Sequence, residues 1–87
     1  MTAIVVYTAG DGCMQCCLTK RAMDTAGLVY RDVDLTDPAN EAAREYVTED
    51  LGYSSAPIVV VDEHEHWSGF RPDRIQDLVV RLVAAGR

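Results

Sequence analysis

The stretch Cys13-Met14-Gln15-Cys16, which follows the apolar run Ala3-Ile4-Val5-Val6-Tyr7-Thr8, decides the fold of this chain. The run is rich in β-branched residues and almost continuously apolar, a pattern typical of a strand buried on both faces. An amphipathic segment begins at the cysteines and predicts a helix over residues 13–26. Residues three apart on a helix are neighbours, with Cβ atoms about 5–6 Å apart. The spacing therefore allows Cys13 and Cys16 to form and break a disulfide with little movement of the backbone.

The position of the two cysteines at the start of a helix gives them different roles. Unpaired N–H groups and the partial positive charge of a helix N-terminus favour a thiolate. Cys13 is nearer the helix start and is the predicted attacking thiol, whereas Cys16, one turn further on, is the predicted resolving thiol. Cys17 points about 100° away from Cys16 around the helix. We interpret Cys17 as a small buried apolar residue, with a regulatory thiol as the alternative.

The composition of the 87 residues limits the classes of function. Eight Lys and Arg against fourteen Asp and Glu give a net charge of −6, and the basic residues are scattered. Nucleic acids and anionic membranes need clustered Lys and Arg, so neither is an expected partner. The first ten residues lack a basic region, and their apolar run is too short for a signal peptide or a membrane span. We therefore expect a cytoplasmic protein with one domain over residues 1–87, in which the Cys-x-x-Cys pair performs redox chemistry.

The order of the predicted elements is typical of an α/β protein. They are a strand over 3–8, a helix over 13–26, a strand over 30–34, a helix over 38–50, strands over 58–61 and 66–68, and a helix from Pro72. A right-handed crossover makes the first two strands parallel, and the last two form an antiparallel hairpin. The core-facing helix residues are predicted to be Leu18, Ala22, Ala26, Ala42, Ala43, Tyr46, Val47, Leu51, Ile75, Leu78, Val79, Leu82 and Val83. The pattern predicts a thioredoxin/glutaredoxin-like fold, with a four-stranded mixed sheet flanked by three helices.

Several residues allow a structural as well as a functional interpretation. Zinc sites use the same Cys-x-x-Cys spacing but need two more ligands. The only two histidines, His64 and His66, fall at the predicted hairpin, towards the opposite end of the strands from the cysteines. Pro57 fits the start of a strand as well as a cis-proline beside the cysteines, and Trp67 fits either the core or a shallow partner site. We favour a redox dithiol over a metal site and leave the readings of Pro57 and Trp67 open.

The chain resembles the NrdH-type redoxins, which are small glutaredoxin-like proteins with thioredoxin-like activity. The matching segments are Val6-Tyr7-Thr8, Cys13-Met14-Gln15-Cys16, Lys20-Arg21-Ala22, Ala56-Pro57 with the valine run after it, and His66-Trp67-Ser68-Gly69-Phe70-Arg71-Pro72-Asp73. The last segment is long and unusual, and it is the most specific marker. The loop Ala9-Gly10-Asp11-Gly12 departs from the Lys-Pro pair usual in the family, and Ser54-Ser55 and Cys17 are also atypical.

The resemblance implies a function and a set of site residues. It implies a protein-disulfide oxidoreductase or electron carrier that thioredoxin reductase reduces and that donates electrons to class Ib ribonucleotide reductase, with no cofactor of its own. Cys13 and Cys16 are the implied reactive thiols, and Pro57 is the implied cis-proline. The implied partner-binding residues are Met14, Gln15, Ala56, Pro57, Trp67, Ser68, Gly69, Phe70 and Arg71. The alternatives are a glutathione-dependent glutaredoxin, which needs basic groups near the cysteines, and a metal-binding module.

Overall fold

The computed structural model of the protein describes residues 4–10 and 12–85. The strands are β1 (Ile4–Thr8), β2 (Tyr30–Asp34), β3 (Ile58–Val60) and β4 (His66–Ser68), and the helices are α1 (Met14–Thr25), α2 (Glu41–Glu45) and α3 (Pro72–Ala85). Ala3 and Asp11, which the sequence analysis assigns to the first strand and the loop after it, lie outside the described residues. None of the described helices is long and apolar enough to cross a membrane.

The four strands form one mixed sheet in the order β2-β1-β3-β4. β1 and β2 are parallel, with Thr8 opposite Asp34. β3 is antiparallel to both of its neighbours and places Ile58 opposite Tyr7 on one side and opposite Ser68 on the other. This topology confirms the predicted thioredoxin/glutaredoxin-like fold.

The two central strands are buried on both faces, as the apolar runs predict. One face of the sheet packs against α1 and α3, with Met23 and Leu78 contributing to a core that includes Val6, Val59 and Trp67. The other face packs against the α2 region, where Val47 contacts the cluster formed by Tyr7, Ile58 and Val60. Because side chains alternate along a strand, each buried strand supplies one residue set to each layer.

The predicted second helix is built from three kinds of helical turn. Asp37 caps it as expected, since its carboxylate accepts a hydrogen bond from the Ala39 amide at 2.9 Å. A 3-10 turn over Pro38–Asn40 then leads into α2, and a π-helical turn over Tyr46–Asp50 continues it. The predicted extent of this helix is confirmed, but its geometry is not that of one regular α-helix.

Several predictions of which helix residues face the core are wrong. In each case the buried face is rotated about the helix axis from the predicted face. In α1 the buried residues are Cys16, Thr19 and Met23. Ala22 is half-buried and packs against the core as predicted, whereas Leu18 and Ala26 are only half-buried and Cys17, predicted to be buried, is exposed. Thr19 is polar, so a hydrophobic pattern does not place it on the buried face. Ala42 and Val83 are also exposed, each because it lies about 100° around its helix from an inward neighbour, Ala43 or Leu82.

Candidate active site

The two cysteines of the motif are joined by a disulfide between Cys13 and Cys16, with Cα atoms 5.2 Å apart. Cys13 is the N-cap of α1, and its Sγ accepts a hydrogen bond from the Cys16 amide at 3.2 Å. Cys16 is only 2% exposed, while Cys13 is half-buried. An outside disulfide therefore reaches Cys13 more easily than Cys16.

The register of the sheet brings two further segments to the cysteines. β3 is antiparallel to β1, so the start of β3 lies at the same end of the sheet as the end of β1. Pro57 is there, with a cis peptide bond after Ala56, as the resemblance implies. β4 ends at Ser68, opposite Ile58, which brings Gly69 to the same place. The hairpin turn that carries His64 lies at the other end of these strands.

Three hydrogen bonds connect the segments around the disulfide. The Ser68 hydroxyl donates to the Ser55 carbonyl oxygen at 2.6 Å, and the Gly69 amide donates to the Pro57 carbonyl oxygen at 2.8 Å. The Phe70 amide donates to Oε1 of Gln15 at 3.3 Å. The motif, residues 54–57 (the proline loop) and the segment after β4 are thus bonded to one another.

A polar recess of about 340 Å³ lies beside the cysteines. It is lined by the three cysteines, by three charged side chains and by two further residues, namely Cys13, Cys16, Cys17, Lys20, Asp32, Asp34, Thr8 and Gly10. Asp32 accepts a hydrogen bond from the Thr8 hydroxyl at 3.1 Å and forms an ion pair with Lys20 at 2.9 Å. The sequence analysis did not identify Asp32, although the parallel register of β1 and β2 is the signal that places it near the cysteines.

The acidic residue at the end of β2 also lines this recess. Both the hydroxyl and the amide of Thr36 donate to the Asp34 carboxylate, at 2.6 and 2.9 Å. These bonds, first the one from the side chain, lower the pKa of Asp34. The carboxylate therefore stays ionised at neutral pH, and the recess carries negative charge beside the Lys20–Asp32 pair.

A second groove, of about 500 Å³, is lined in part by the proline loop. Ala56 and Ile58 line it together with Val47, Tyr53 and Arg44. The guanidinium of Arg44 donates two hydrogen bonds to the Leu35 carbonyl oxygen, at 3.1 and 2.7 Å. Arg44 is a cation near the site that the sequence analysis did not include, because it lies on α2, far from the motif in sequence.

The structure places the predicted partner-binding residues around the end of the sheet that carries the cysteines, but the side chains of Pro57 and Trp67 are buried. Met14 is 72% exposed beside Cys13, and Arg71 is exposed and forms a bidentate ion pair with Asp73. Trp67 is 3% exposed, belongs to the core, and lies under the guanidinium of Arg74, 5.4 Å from the ring centroid. Its side chain therefore supports the site from within the core.

The described residues contain no group of three or more His, Cys, Asp or Glu side chains arranged to hold a metal ion. His66 instead contacts Tyr53, whose hydroxyl lies 2.7 Å from Nδ1 of the imidazole. The pair packs edge to face, with ring centroids 5.5 Å apart. Within the part of the chain that the structure describes, the histidines thus give no support to the metal-binding alternative.

The fold and the joined cysteines define a thiol–disulfide redoxin, and comparison with known proteins places it in a family. The glutaredoxin family model matches residues 4–67. The glutaredoxin-like protein NrdH of Escherichia coli is 40% identical over 77 residues, which cover 86% of each chain. The gene 56 protein of Mycobacterium phage D29 is 38% identical over 84 residues, 97% of this chain and 90% of the relative.

A solved structure agrees with these relatives. The NrdH-redoxin of Escherichia coli superposes with a TM-score of 0.73 at 37% identity, covering 87% of this chain and 93% of that one. The chain belongs to the glutaredoxin family, and within that family it is an NrdH-like redoxin. The resemblance found from the sequence is confirmed.

Proposed function

We propose that this chain is a cytoplasmic dithiol electron carrier that thioredoxin reductase reduces and class Ib ribonucleotide reductase oxidises. The observation that carries the proposal is the Cys13–Cys16 disulfide at the start of α1, with the more exposed sulfur on Cys13. The choice of partners is supported by the similarity to the Escherichia coli NrdH-redoxin, which is described as glutaredoxin-like with a thioredoxin-like activity profile.

The proposed reaction is two successive thiol–disulfide exchanges. In the reduced protein, the Cys13 thiolate attacks one sulfur of the acceptor disulfide, forms a mixed disulfide and releases the first acceptor thiolate. The Cys16 thiolate then attacks Sγ of Cys13, breaks the mixed disulfide and releases the second acceptor thiolate. Two electrons and two protons pass to the acceptor, and the Cys13–Cys16 bond is left behind for the reductase to open.

The proposed partner surface surrounds the disulfide on two sides. Met14 and Gln15 are exposed on the first turn of α1, and the half-buried Ala56 precedes the buried cis-Pro57 at the start of β3. Ser68–Arg71 completes the surface, held to the proline loop by the bonds from Ser68 and Gly69. A protein acceptor that places its disulfide on Cys13 contacts these residues at once.

Serine variants of the three cysteines test the proposal. The assay measures NADPH oxidation with thioredoxin reductase and the large subunit of class Ib ribonucleotide reductase. We expect Cys13→Ser to abolish turnover, since no thiolate remains to attack. Cys16→Ser should also stop turnover but accumulate a mixed disulfide with the acceptor, visible on a non-reducing gel and cleared by dithiothreitol.

Cys17→Ser is the matched control, because it makes the same change one residue away at an exposed thiol. It should turn over at the wild-type rate. Full activity of Cys13→Ser, or a trapped mixed disulfide in Cys13→Ser and not in Cys16→Ser, would show that the assigned roles are wrong.

Glutathione-dependent reduction is the second candidate, and Arg44 is the observation that favours it. Its guanidinium lines the groove beside Ala56, and this positive charge attracts the anionic tripeptide glutathione. The same chain is assayed with glutathione and glutathione reductase in place of thioredoxin reductase. Faster turnover with glutathione, and a raised KM for glutathione in Arg44→Gln, would replace the first proposal with this one.

A further inference from the structure

Gln15 links the active-site turn to a segment 55 residues away in sequence. Its side-chain Oε1 accepts the hydrogen bond from the Phe70 amide at 3.3 Å. It also lies next to Gly69, where a Cβ atom would come within 3.6 Å of Oε1. The carboxamide thus lies against the backbone of two consecutive residues on the proposed partner surface.

The segment that Gln15 contacts has an unusual backbone. Gly69 has φ = +89°, a region that L side chains rarely adopt. The Gly69 amide donates a hydrogen bond to the Pro57 carbonyl oxygen at 2.8 Å, and this bond ties the end of β4 to the proline loop. The next peptide group points its Phe70 amide toward α1, where the amide donates a hydrogen bond to Oε1 of Gln15. The segment is therefore bonded to the proline loop on one side and to the active-site turn on the other.

We propose that Gln15 is a positioning residue that holds the Gly69–Phe70 segment against the active-site turn and so determines how well a protein disulfide docks at Cys13. This inference rests on the proposed function. The carboxamide bears no reactive proton for the exchange, and the two sulfurs supply the chemistry. Removing the carboxamide should therefore weaken docking of large acceptors without changing the reactivity of Cys13 toward small ones.

The size of the expected effect follows from the single hydrogen bond. Such a bond contributes little when water can replace the lost partner, and Gln15 is exposed. We expect Gln15→Ala to raise the KM for a protein disulfide about 2- to 5-fold, the lower part of the range for one hydrogen bond. The value of kcat should stay within about 2-fold of wild type, since docking and not the exchange is affected.

The experiment compares two disulfides of different size. Reduced wild type and Gln15→Ala are assayed with insulin as the protein disulfide and with 2-hydroxyethyl disulfide as a small neutral one. Hydrogen exchange of the Phe70 amide is measured in the oxidised proteins as a direct report on the contact. We expect slower reaction of the variant with insulin, an unchanged rate with 2-hydroxyethyl disulfide, and faster exchange of the Phe70 amide.

Two further variants sharpen the test. Gln15→Glu keeps an oxygen acceptor for the Phe70 amide and should restore both amide protection and the insulin rate, measured at high salt to screen its added charge. Gln76→Ala removes the chain's other glutamine, which is exposed on α3, and should behave as wild type.

Equal losses with both disulfides, or unchanged exchange at Phe70, overturn the inference. Failure of wild type to reduce insulin would instead count against the proposed function. The exchange measurement would still decide whether Gln15 holds the segment.

Discussion

The two buried threonines beside the cysteines should respond in opposite directions to the same substitution. Thr8 and Thr19 are 3% and 0% exposed. The Thr8 hydroxyl donates to the Asp32 carboxylate at 3.1 Å, whereas Oγ1 of Thr19 has no hydrogen-bond partner. Replacing each threonine by valine keeps the branched shape and replaces the hydroxyl by a methyl group. The change in stability of each variant therefore shows whether the lost hydroxyl had a hydrogen-bond partner.

The magnitudes follow from the cost of burying a polar group. A buried hydroxyl without a partner costs about 1–3 kcal/mol, and valine and threonine have similar helix propensities. Thr19→Val should therefore raise the free energy of unfolding by about 1 kcal/mol or more. A hydrogen bond to a charged group contributes about 1.5–3 kcal/mol, but the Asp32 side chain is 43% exposed and water replaces part of the loss. Thr8→Val should lower the free energy of unfolding by about 1 kcal/mol.

Urea denaturation of the oxidised protein, followed by circular dichroism, measures both effects. For a domain of this size, 1 kcal/mol corresponds to a change in Tm of about 4–8 °C, so calorimetry provides an independent check. Thr25→Val, at an exposed position of α1, is the control and should stay within about 0.5 kcal/mol of wild type. If Thr19→Val were less stable than wild type, or if both buried variants shifted in the same direction, the reasoning from hydroxyl satisfaction would be refuted.

The remaining predictions concern the free thiol, the core and the pH dependence of stability. Ellman titration of the oxidised protein should find one thiol per chain, and none in Cys17→Ser, because Cys17 is the free cysteine; two or more thiols in the oxidised wild type would contradict the disulfide. Met23 is 0% exposed, so Met23→Ala should lose about 2–5 kcal/mol of stability in urea. Val83 is 56% exposed, so Val83→Ala should lose less than about 0.5 kcal/mol. Similar losses in the two variants would show that Val83 belongs to the core. Burial, and then the neighbouring Asp24 carboxylate, raise the pKa of Tyr30 from 10.0 to about 12. Because the unfolded phenol ionises first, stability should fall as pH rises from about 10 to 12, and Tyr30→Phe should reduce that fall; an equally steep fall in the variant would assign it to other groups.

The parts of the structure that the sequence predicts are those with a local physical signal. The run before the motif and Ile58-Val59-Val60 are both continuously apolar, and both become strands buried on two faces. The cysteine spacing predicts the disulfide, because helix geometry alone brings residues three apart together. The crossover predicts that β1 and β2 are parallel and the hairpin predicts that β3 and β4 are antiparallel, but neither predicts the pairing of β3 with β1.

The parts that sequence reasoning missed depend on contacts between distant segments. The buried face of α1 includes Thr19, whose polarity hides it from a hydrophobic pattern. Arg44 is held near the site by bonds to the Leu35 carbonyl oxygen, and Gln15, itself a predicted partner-binding residue, makes an unpredicted contact with the Phe70 amide. Neither contact leaves a periodic signal, since each depends on how two elements are arranged in space. The burial of Trp67, which is 3% exposed, likewise depends on packing between distant segments.

The sheet order has a consequence for how the protein behaves at high concentration. β2 is a terminal strand of the sheet, and the edge of such a strand is a template on which a strand of another molecule can pair. Arg31 and Asp32 in the middle of β2 are charged and exposed. Charges in that position oppose edge-to-edge polymerisation. These charges therefore disfavour the addition of another molecule at the β2 edge, while Cys13, beyond the end of β1, stays partly exposed.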